Sequence, residues 1–326
     1  MPKSRKHLAR RNHRHKRKLR QPSSIAAFFE QTILKANQVS SHPVLYHYTS
    51  LAGAKGIIES QIFRSSAHNC TNDDAELNSA NAIVIEVAKA CRQSAKGTAA
   101  KVLDIFLENY PDSMFTNLRT VYLSCFSIAR DDESQWKNYG DNGVGICLGI
   151  RVLEEKPIMS AEVVSSQFQV EYSEAALRKW IDETFKNICS ALAGYPPLNN
   201  NLEEGLSALY RIAAFASIRT KAEKWRSEQE IRYVTFSRHK KSITPKERVS
   251  ATGKMIRYLE IPLRADGKLI ALDEIIIGAN QNVVEVRKQF ETLLAAKGYR
   301  VGSIEYPRIS TSEVLIDVNL QKLVRN

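Results

Sequence analysis

Hydrophobic and polar residues follow two different periods along this chain, and the change of period predicts its secondary structure. Apolar residues recur every three or four positions in several segments, as between Ile25 and Leu34, and this spacing is typical of helices. Shorter apolar runs bounded by turn residues indicate strands. The predicted helices cover residues 25–39, 51–60, 74–91, 99–109, 131–139, 173–193, 202–221 and 283–297. The predicted strands cover residues 44–48, 61–65, 120–126, 144–150, 162–172, 231–236, 255–261, 269–277, 301–305 and 314–318.

The order of these elements predicts the fold class. Helices and strands are mixed without a strict strand–helix–strand rhythm, which favours an α+β domain over a doubly wound one. We therefore expect a split sheet, mixed or largely antiparallel, flanked by helices. The expected organisation is a disordered basic tail over residues 1–22 and a single α+β domain over residues 23–326.

The charge of the chain is concentrated in that tail. The net charge is +12, and residues 1–20 hold ten Lys/Arg and no acid, so the other 306 residues carry 12 − 10 = +2. With few apolar residues the tail cannot form a core, and we expect it to be disordered alone. One interpretation is a solubilising tail with weak attraction for nucleic acid; the other is a functional address or a nucleic-acid anchor.

The remaining composition favours a cytoplasmic protein. No apolar region follows the basic residues as in a secretory signal, and no run approaches the ~18 apolar residues that span a bilayer. The five cysteines are widely spaced and form no metal-ligand motif. Cys125 and Cys147 fall inside apolar strand patterns, so we expect them to be buried small hydrophobic residues.

The first segment with candidate chemistry is Tyr46-His47-Tyr48-Thr49, at the end of a predicted strand. Strand alternation places the two tyrosines on one face and His47 on the other. A neutral histidine there can donate to a ribose hydroxyl or act as a base. The alternative is a histidine that caps the next helix or satisfies a core hydrogen bond.

The second segment contains two carboxylates, Glu228 and Glu230, where a helix gives way to a strand. If the strand begins by Glu228, both share a face with Arg232. Such a carboxylate can bind a ribose 2′-hydroxyl and stabilise an oxocarbenium-like centre. The alternative is a solvated ladder of Glu and Arg at a strand edge.

The third segment follows the strand that ends in Ser124-Cys125-Phe126-Ser127. Trp136 and Tyr139 are three positions apart on a predicted helix and so share one side of it. They are candidates for a wall on which a planar ring stacks; the alternative is packing against the sheet. Phosphate-binding loops, serine nucleophile elbows and paired Cys/His ligands are absent from the sequence, and the glycines of residues 140–149 enter a strand instead of a helix.

Together these motifs resemble a bacterial family known as domain of unknown function 2971. The resemblance covers about residues 44–306. Its motifs are Leu45 to Ser50, Asn72-Asp73 to Glu76, Cys125-Phe126-Ser127, Trp136 to Tyr139 with Gly143 to Gly149, then Lys221, Trp225, Glu228, Glu230, Arg232, and Ile275 to Gly278.

That family in turn is similar to ADP-ribosyltransferases. This second resemblance implies an ADP-ribosyltransferase-like fold and NAD as a substrate. It implies that His47 holds the ribose and that Glu230 or Glu228 stabilises the oxocarbenium ion. It also implies that Tyr48, Tyr139 or Trp136 contacts the nicotinamide. Ser124 to Ser127 stands loosely for a Ser-Thr-Ser motif, so Ser127 is an expected cofactor-binding residue. Arg232, beside the candidate carboxylates, is another.

Two functional hypotheses follow. The first is NAD-dependent transfer of ADP-ribose to a protein or nucleic-acid acceptor, or NAD cleavage, in a toxin or phage-defence setting. The second is a non-enzymatic, nucleic-acid-associated binding protein whose tail supplies the attraction. Neither hypothesis needs a metal or a membrane.

Overall fold

The computed structural model describes residues 44–70, 74–117, 121–152, 158–159, 163–196, 198–237, 245–249, 253–263, 270–303 and 307–316. The expected tail, the expected helix over 25–39 and the capping residues 71–73 lie outside the described residues. The helices are α1 (Leu51–Ser60), α2 (Asp74–Ser94), α3 (Gly97–Asn117), α4 (Glu133–Asn138), α5 (Glu174–Ala193), α6 (Asn199–Arg219) and α7 (Val283–Ala296). Short 3₁₀ turns occupy His68–Cys70, Asp141–Gly143 and Glu223–Glu228.

In the described part of the chain, eleven strands form one sheet. They are β1 (Leu45–Thr49), β2 (Ile62–Ala67), β3 (Val121–Ser127), β4 (Ile146–Val152), β5 (Ile158–Met159), β6 (Val163–Gln169), β7 (Glu230–Ser237), β8 (Lys246–Val249), β9 (Met255–Pro262), β10 (Ile270–Ile277) and β11 (Arg308–Thr311). The order is β11-β10-β4-β1-β3-β2-β9-β8, and β7, β6 and β5 branch from β3. The β10–β11 pair is parallel and the other pairs are antiparallel.

The branch at β3 produces a fork in the sheet. One edge of β3 pairs with β7 along its whole length. The other edge pairs with β1 at Ser127 and with β2 at Leu123 and Tyr122. Between these points, among the described strands, residues 124–126 have no ladder partner on that edge. We call this gap between β1 and β2 the fork.

Helices cover both faces of the sheet. On the face that we call the bundle face, Val121, Leu123 and Val234 pack against α2, α3, α5 and α6. Apolar residues on α5 recur every three or four positions, so one stripe of this helix faces the core. The buried members of the stripe are Leu177, Ile181, Phe185, Ile188 and Leu192.

The opposite face, which we call the α1/α7 face, has its own core. Phe126 and Ile231 pack there with Ile58 of α1 and Phe290 of α7. A smaller cluster on the bundle face surrounds Trp136 and includes Tyr46 and Tyr48. Within the described residues, none of the helices has both the length and the apolar character needed to cross a lipid bilayer.

Most of the expected elements are confirmed, including the α+β class and the mixed sheet flanked by helices. Two late strands were wrong. Residues 301–303 form a turn and residues 314–316 have no regular structure, whereas Arg308–Thr311 forms the last strand. The helix predicted over residues 202–221 begins earlier, at Asn199. The errors fall at exposed element ends and edge strands, where burial imposes no apolar period.

Candidate functional site

The turn before β7 brings the two candidate carboxylates together. The sequence suggested that Glu228 and Glu230 share one face of the strand. The strand begins only at Glu230, so strand alternation does not place Glu228 on that face. Instead, Gln229, which lies between them, adopts a left-handed conformation with φ of 45°. Both carboxylates reach Lys221 as a result.

Five residues form a largely buried cluster, which we call the carboxylate cluster: Lys221, Glu228, Glu230, Arg232 and Tyr139. The Lys221 ammonium donates to Glu228 and, at 3.0 Å, to Glu230 Oε2. Arg232 Nε donates to Glu230 Oε1 at 2.8 Å, and Tyr139 Oη donates to Glu228 Oε1 at 2.7 Å. Two anions thus meet two cations, and Glu228, Glu230 and Arg232 are at most 4 % exposed. The alternative of a solvated edge ladder is wrong.

The cluster keeps Glu230 ionised. Burial alone would raise its pKa, but Arg232 and Lys221 outweigh burial and lower the pKa to about 2. Burial likewise opposes the charge of Lys221, yet Glu230 and Glu228 raise its pKa. At neutral pH Glu230 is therefore a fixed anion and not a proton donor.

Cys125 lies beside Glu230, and its exposure to solvent differs from the sequence-based expectation. It was expected to be buried, as Cys147 is, but it is exposed to solvent although it sits on an interior strand. Its thiol hydrogen-bonds Glu230, and surrounding protein and then the carboxylate raise its pKa. The bundle face is therefore open to solvent at the fork, between the helical bundle and the Trp136 cluster.

The two aromatic candidates do not form one wall. Trp136 is fully buried, meets the Tyr48 ring edge-on at 5.0 Å, and donates its Nε1 to Asp131 Oδ1 at 2.7 Å. Tyr139 follows the last residue of α4, where its φ of −130° is no longer helical, and it remains 47 % exposed. Only Tyr139 of this pair contacts the carboxylate cluster and presents its ring to solvent.

Tyr48 and Ser127 support the structure around the site. Tyr48 is buried and its hydroxyl donates to the Ala129 carbonyl at 2.9 Å. Ser127 Oγ donates to the Glu228 carbonyl at 2.7 Å, which fixes the turn before β7. Both hydroxyls form hydrogen bonds with backbone groups.

His47 lies at the same fork on the other face of the sheet. Strand register places Glu230 opposite Ser127 and Arg232 opposite Cys125 on the bundle face. His47 instead contacts the rings of Phe63 and Phe126 on the α1/α7 face, with ring centroids 4.7 and 6.0 Å away. The side chains of His47 and Glu230 are therefore separated by the thickness of β3.

The protonation of His47 follows from one hydrogen bond. Its Nδ1 lies 3.2 Å from the Cys125 carbonyl, which can only accept, so Nδ1 carries the proton. Burial lowers the pKa of the ring, and the hydrogen bond opposes this only in part. His47 is thus a neutral imidazole whose Nε2 is an acceptor. Cys125 links the two faces, since its carbonyl binds His47 and its thiol binds Glu230.

Two members of the site had no role in the sequence pattern. Lys221 was one of the residues that carry the family resemblance, but nothing in its spacing revealed that it would bridge both carboxylates. Cys125 looked like a core residue because its neighbours are apolar. Both roles depend on the left-handed turn and on the branching of the sheet, which short-range periodicity does not report.

The geometry thus defines an α+β protein with a forked sheet and a buried carboxylate cluster beside the fork. Residues 135–233 match the model of a protein family described as "Protein of unknown function (DUF2971)". The matched segment contains every member of the carboxylate cluster, and it supports the family resemblance over a shorter range than the motifs suggested. No curated protein and no solved structure matches the chain.

Proposed function

We propose that the protein cleaves the bond between nicotinamide and ribose in NAD and transfers ADP-ribose to an acceptor or to water. The observation that carries the proposal is Glu230, a carboxylate with a pKa of about 2 next to a solvent-exposed residue of the fork. Nicotinamide leaves with the bonding electrons, so positive charge develops on the ribose carbon. A fixed anion stabilises that charge.

The acceptor completes the reaction. A lone pair of its oxygen or nitrogen forms the new bond to the ribose carbon, and its proton passes to solvent. Lys221 and Arg232 neutralise part of the charge of the cluster, and Glu230 adds a hydrogen bond to a ribose hydroxyl to its electrostatic contribution. Tyr139 is the aromatic residue best suited to contact a planar ring, since its ring is exposed and its hydroxyl is tied to Glu228. His47 lies on the other face of β3, so we assign it no contact with the ribose that Glu230 binds.

The test is nicotinamide release from NAD, with protein and nucleic-acid acceptors present. We expect wild type to release nicotinamide and Glu230→Gln to lose the activity. Tyr139→Phe should retain most activity and Tyr139→Ala should lose about two- to tenfold, since a stacked ring contributes about 0.5–1.5 kcal/mol beyond its buried area. Glu133→Gln is the matched control, because Glu133 is 61 % exposed and pairs only with Lys137 four residues later.

Folding must be checked in each variant, because Glu230→Gln leaves two buried cations less well compensated. Circular dichroism at the assay temperature serves this purpose. No release by wild type, together with no NAD-induced rise in melting temperature, would contradict the proposal. His47→Ala is a second control: it should keep full activity, because His47 lies on the other face of β3. Loss of activity in a folded His47→Ala variant would place the reaction on the α1/α7 face.

A second candidate function is nucleic-acid-associated binding. It rests on a different observation, the ten Lys/Arg within residues 1–20 of a chain whose other residues carry only +2. Such a segment attracts phosphates by releasing condensed counterions. The two functions are compatible, because one uses the tail and the other the fork.

A further inference from the structure

Two buried serine hydroxyls on the α1/α7 face have no hydrogen-bond partner. Ser65 is 0 % exposed and Ser124 is 4 % exposed. Neither Oγ has a hydrogen-bond partner in the described part of the chain. A buried hydroxyl without a partner is costly, and native proteins almost always provide one, from another protein group or from an ordered water.

The register places the two serines together. Ser66 pairs with Leu123 and Ala67 with Tyr122, so one step further along these antiparallel strands brings Ser65 opposite Ser124. Paired side chains have Cβ atoms roughly 4.5–5.5 Å apart, and the two serines lie one step past the last paired position. Ser65 lies two residues from Phe63, and Ser124 lies two residues from Phe126. Both phenylalanines belong to the core of the α1/α7 face, so the two serine side chains point to that face as well.

The two hydroxyls lie where the fork begins. Ser124 is the first residue of β3 whose edge has no ladder partner among the described strands, and Phe126, two residues on, packs beside His47. His47 is only partly buried, so solvent reaches this end of the fork from the α1/α7 face. Its neutral ring adds an acceptor nitrogen near the entrance.

We propose that Ser65 and Ser124 form a binding site for an uncharged, hydroxyl-bearing molecule at the fork, either water or a sugar hydroxyl. Each serine hydroxyl donates one hydrogen bond and accepts others, which a hydroxyl group of the guest complements. The nearby side chains named above are neutral, so they offer no opposite charge to an anion or a cation. This site is on the opposite face from Glu230 and stands independently of NAD cleavage.

A high-resolution crystal structure tests the proposal directly, with one crystal soaked in D-ribose and one not. We expect density for an oxygen atom within hydrogen-bond distance of both Oγ atoms. A single oxygen in both crystals assigns the site to water, and a ribose ring in the soaked crystal assigns it to a sugar. Two serine hydroxyls bonded to each other, or no density between them, would overturn the proposal.

Melting temperatures provide a test in solution. Ser65→Ala and Ser124→Ala should each lower the melting temperature, and the double variant should fall no further than the worse single, because one molecule is lost in every case. Removal of hydroxyls that bind nothing would instead raise the melting temperature or leave it unchanged, and this result would refute the site. Ser217→Ala is the matched control, since Ser217 is equally buried and its hydroxyl donates to Ala213 O within α6.

Discussion

At the scale of single residues, Glu230 illustrates how an interior carboxylate remains charged. Burial opposes ionisation, and the bonds from Arg232 and Lys221 more than compensate. The same bonds make Glu230 important for stability as well as for the proposed chemistry. A variant of this residue therefore has to be tested for both properties.

The pH dependence of stability gives that test. The pKa of Glu230 falls from 4.5, its usual value, to about 2 in the folded chain. A lowered folded-state pKa stabilises the fold fully above pH 4.5, and the stabilisation is lost as the pH falls from 4.5 toward 2. A difference of about 2.5 units corresponds to about 3 kcal/mol at most.

Urea unfolding of wild type and Glu230→Gln at several pH values measures this effect. Wild type should lose stability below pH 4.5, and the variant should be less stable at pH 7 but flatter between pH 4.5 and 2. Glu133→Gln should follow the wild-type curve, because its exposed partner Lys137 contributes little. Parallel acid curves for wild type and Glu230→Gln would show that Glu230 does not carry the effect.

The sequence identified the candidate residues better than it predicted which of them lie close together in the fold. Strand alternation around His47 was enough to separate it from Tyr46 and Tyr48, and the structure agrees. That His47 and Glu230 lie on opposite faces depends on the register of β1 and β7 against β3. Register between distant strands is a long-range property that no local pattern encodes.

At the scale of elements, glycines allow the turn before β4 to pack against the end of β10. Gly278 N donates to Gly145 O at 3.1 Å, and Asn280 N donates to Gly143 O at 3.0 Å. A Cβ at Gly278 would lie 2.2 Å from Gly143 O, which is backbone and cannot move aside easily. The close approach of the two segments therefore requires glycine.

Gly278→Ala should destabilise the protein by about 1–3 kcal/mol, the usual cost of forcing extra volume into packed structure. Gly56→Ala is the matched control: Gly56 lies in α1, and a Cβ there would meet nothing within 4 Å. Alanine at Gly56 should stabilise the helix by about 0.5–1 kcal/mol. Thermal unfolding of both variants checks the pair, and equal effects of one sign would contradict the packing argument.

Helices and central strands were predictable because burial imposes a period on them. Edge strands were not: every residue of β8 is exposed, and β11 is largely exposed, so neither shows the apolar pattern of a strand. The left-handed Gln229 was equally hidden, since glutamine carries no sequence preference for positive φ. The candidate site depends on that residue more than on any regular element.

At the scale of the whole molecule, the charge distribution separates the tail from the remaining residues. Residues 1–20 carry ten of the net twelve positive charges. We therefore expect the tail to bind nucleic acid without sequence preference, and we expect the site at the fork to turn over NAD. Deletion of residues 1–20 distinguishes these two properties in one variant.

We expect the full chain to bind double-stranded DNA with an affinity that falls steeply with salt. The log–log slope should be about −0.9 per phosphate neutralised. The deletion variant should lose most of this affinity and nearly all of the slope, while its nicotinamide release equals that of the full chain. Fluorescence anisotropy with labelled DNA between low and physiological salt measures both quantities. If the deletion variant keeps the affinity and the slope, the contact with nucleic acid lies in residues 21–326. The proposal that the tail alone binds nucleic acid would then be wrong.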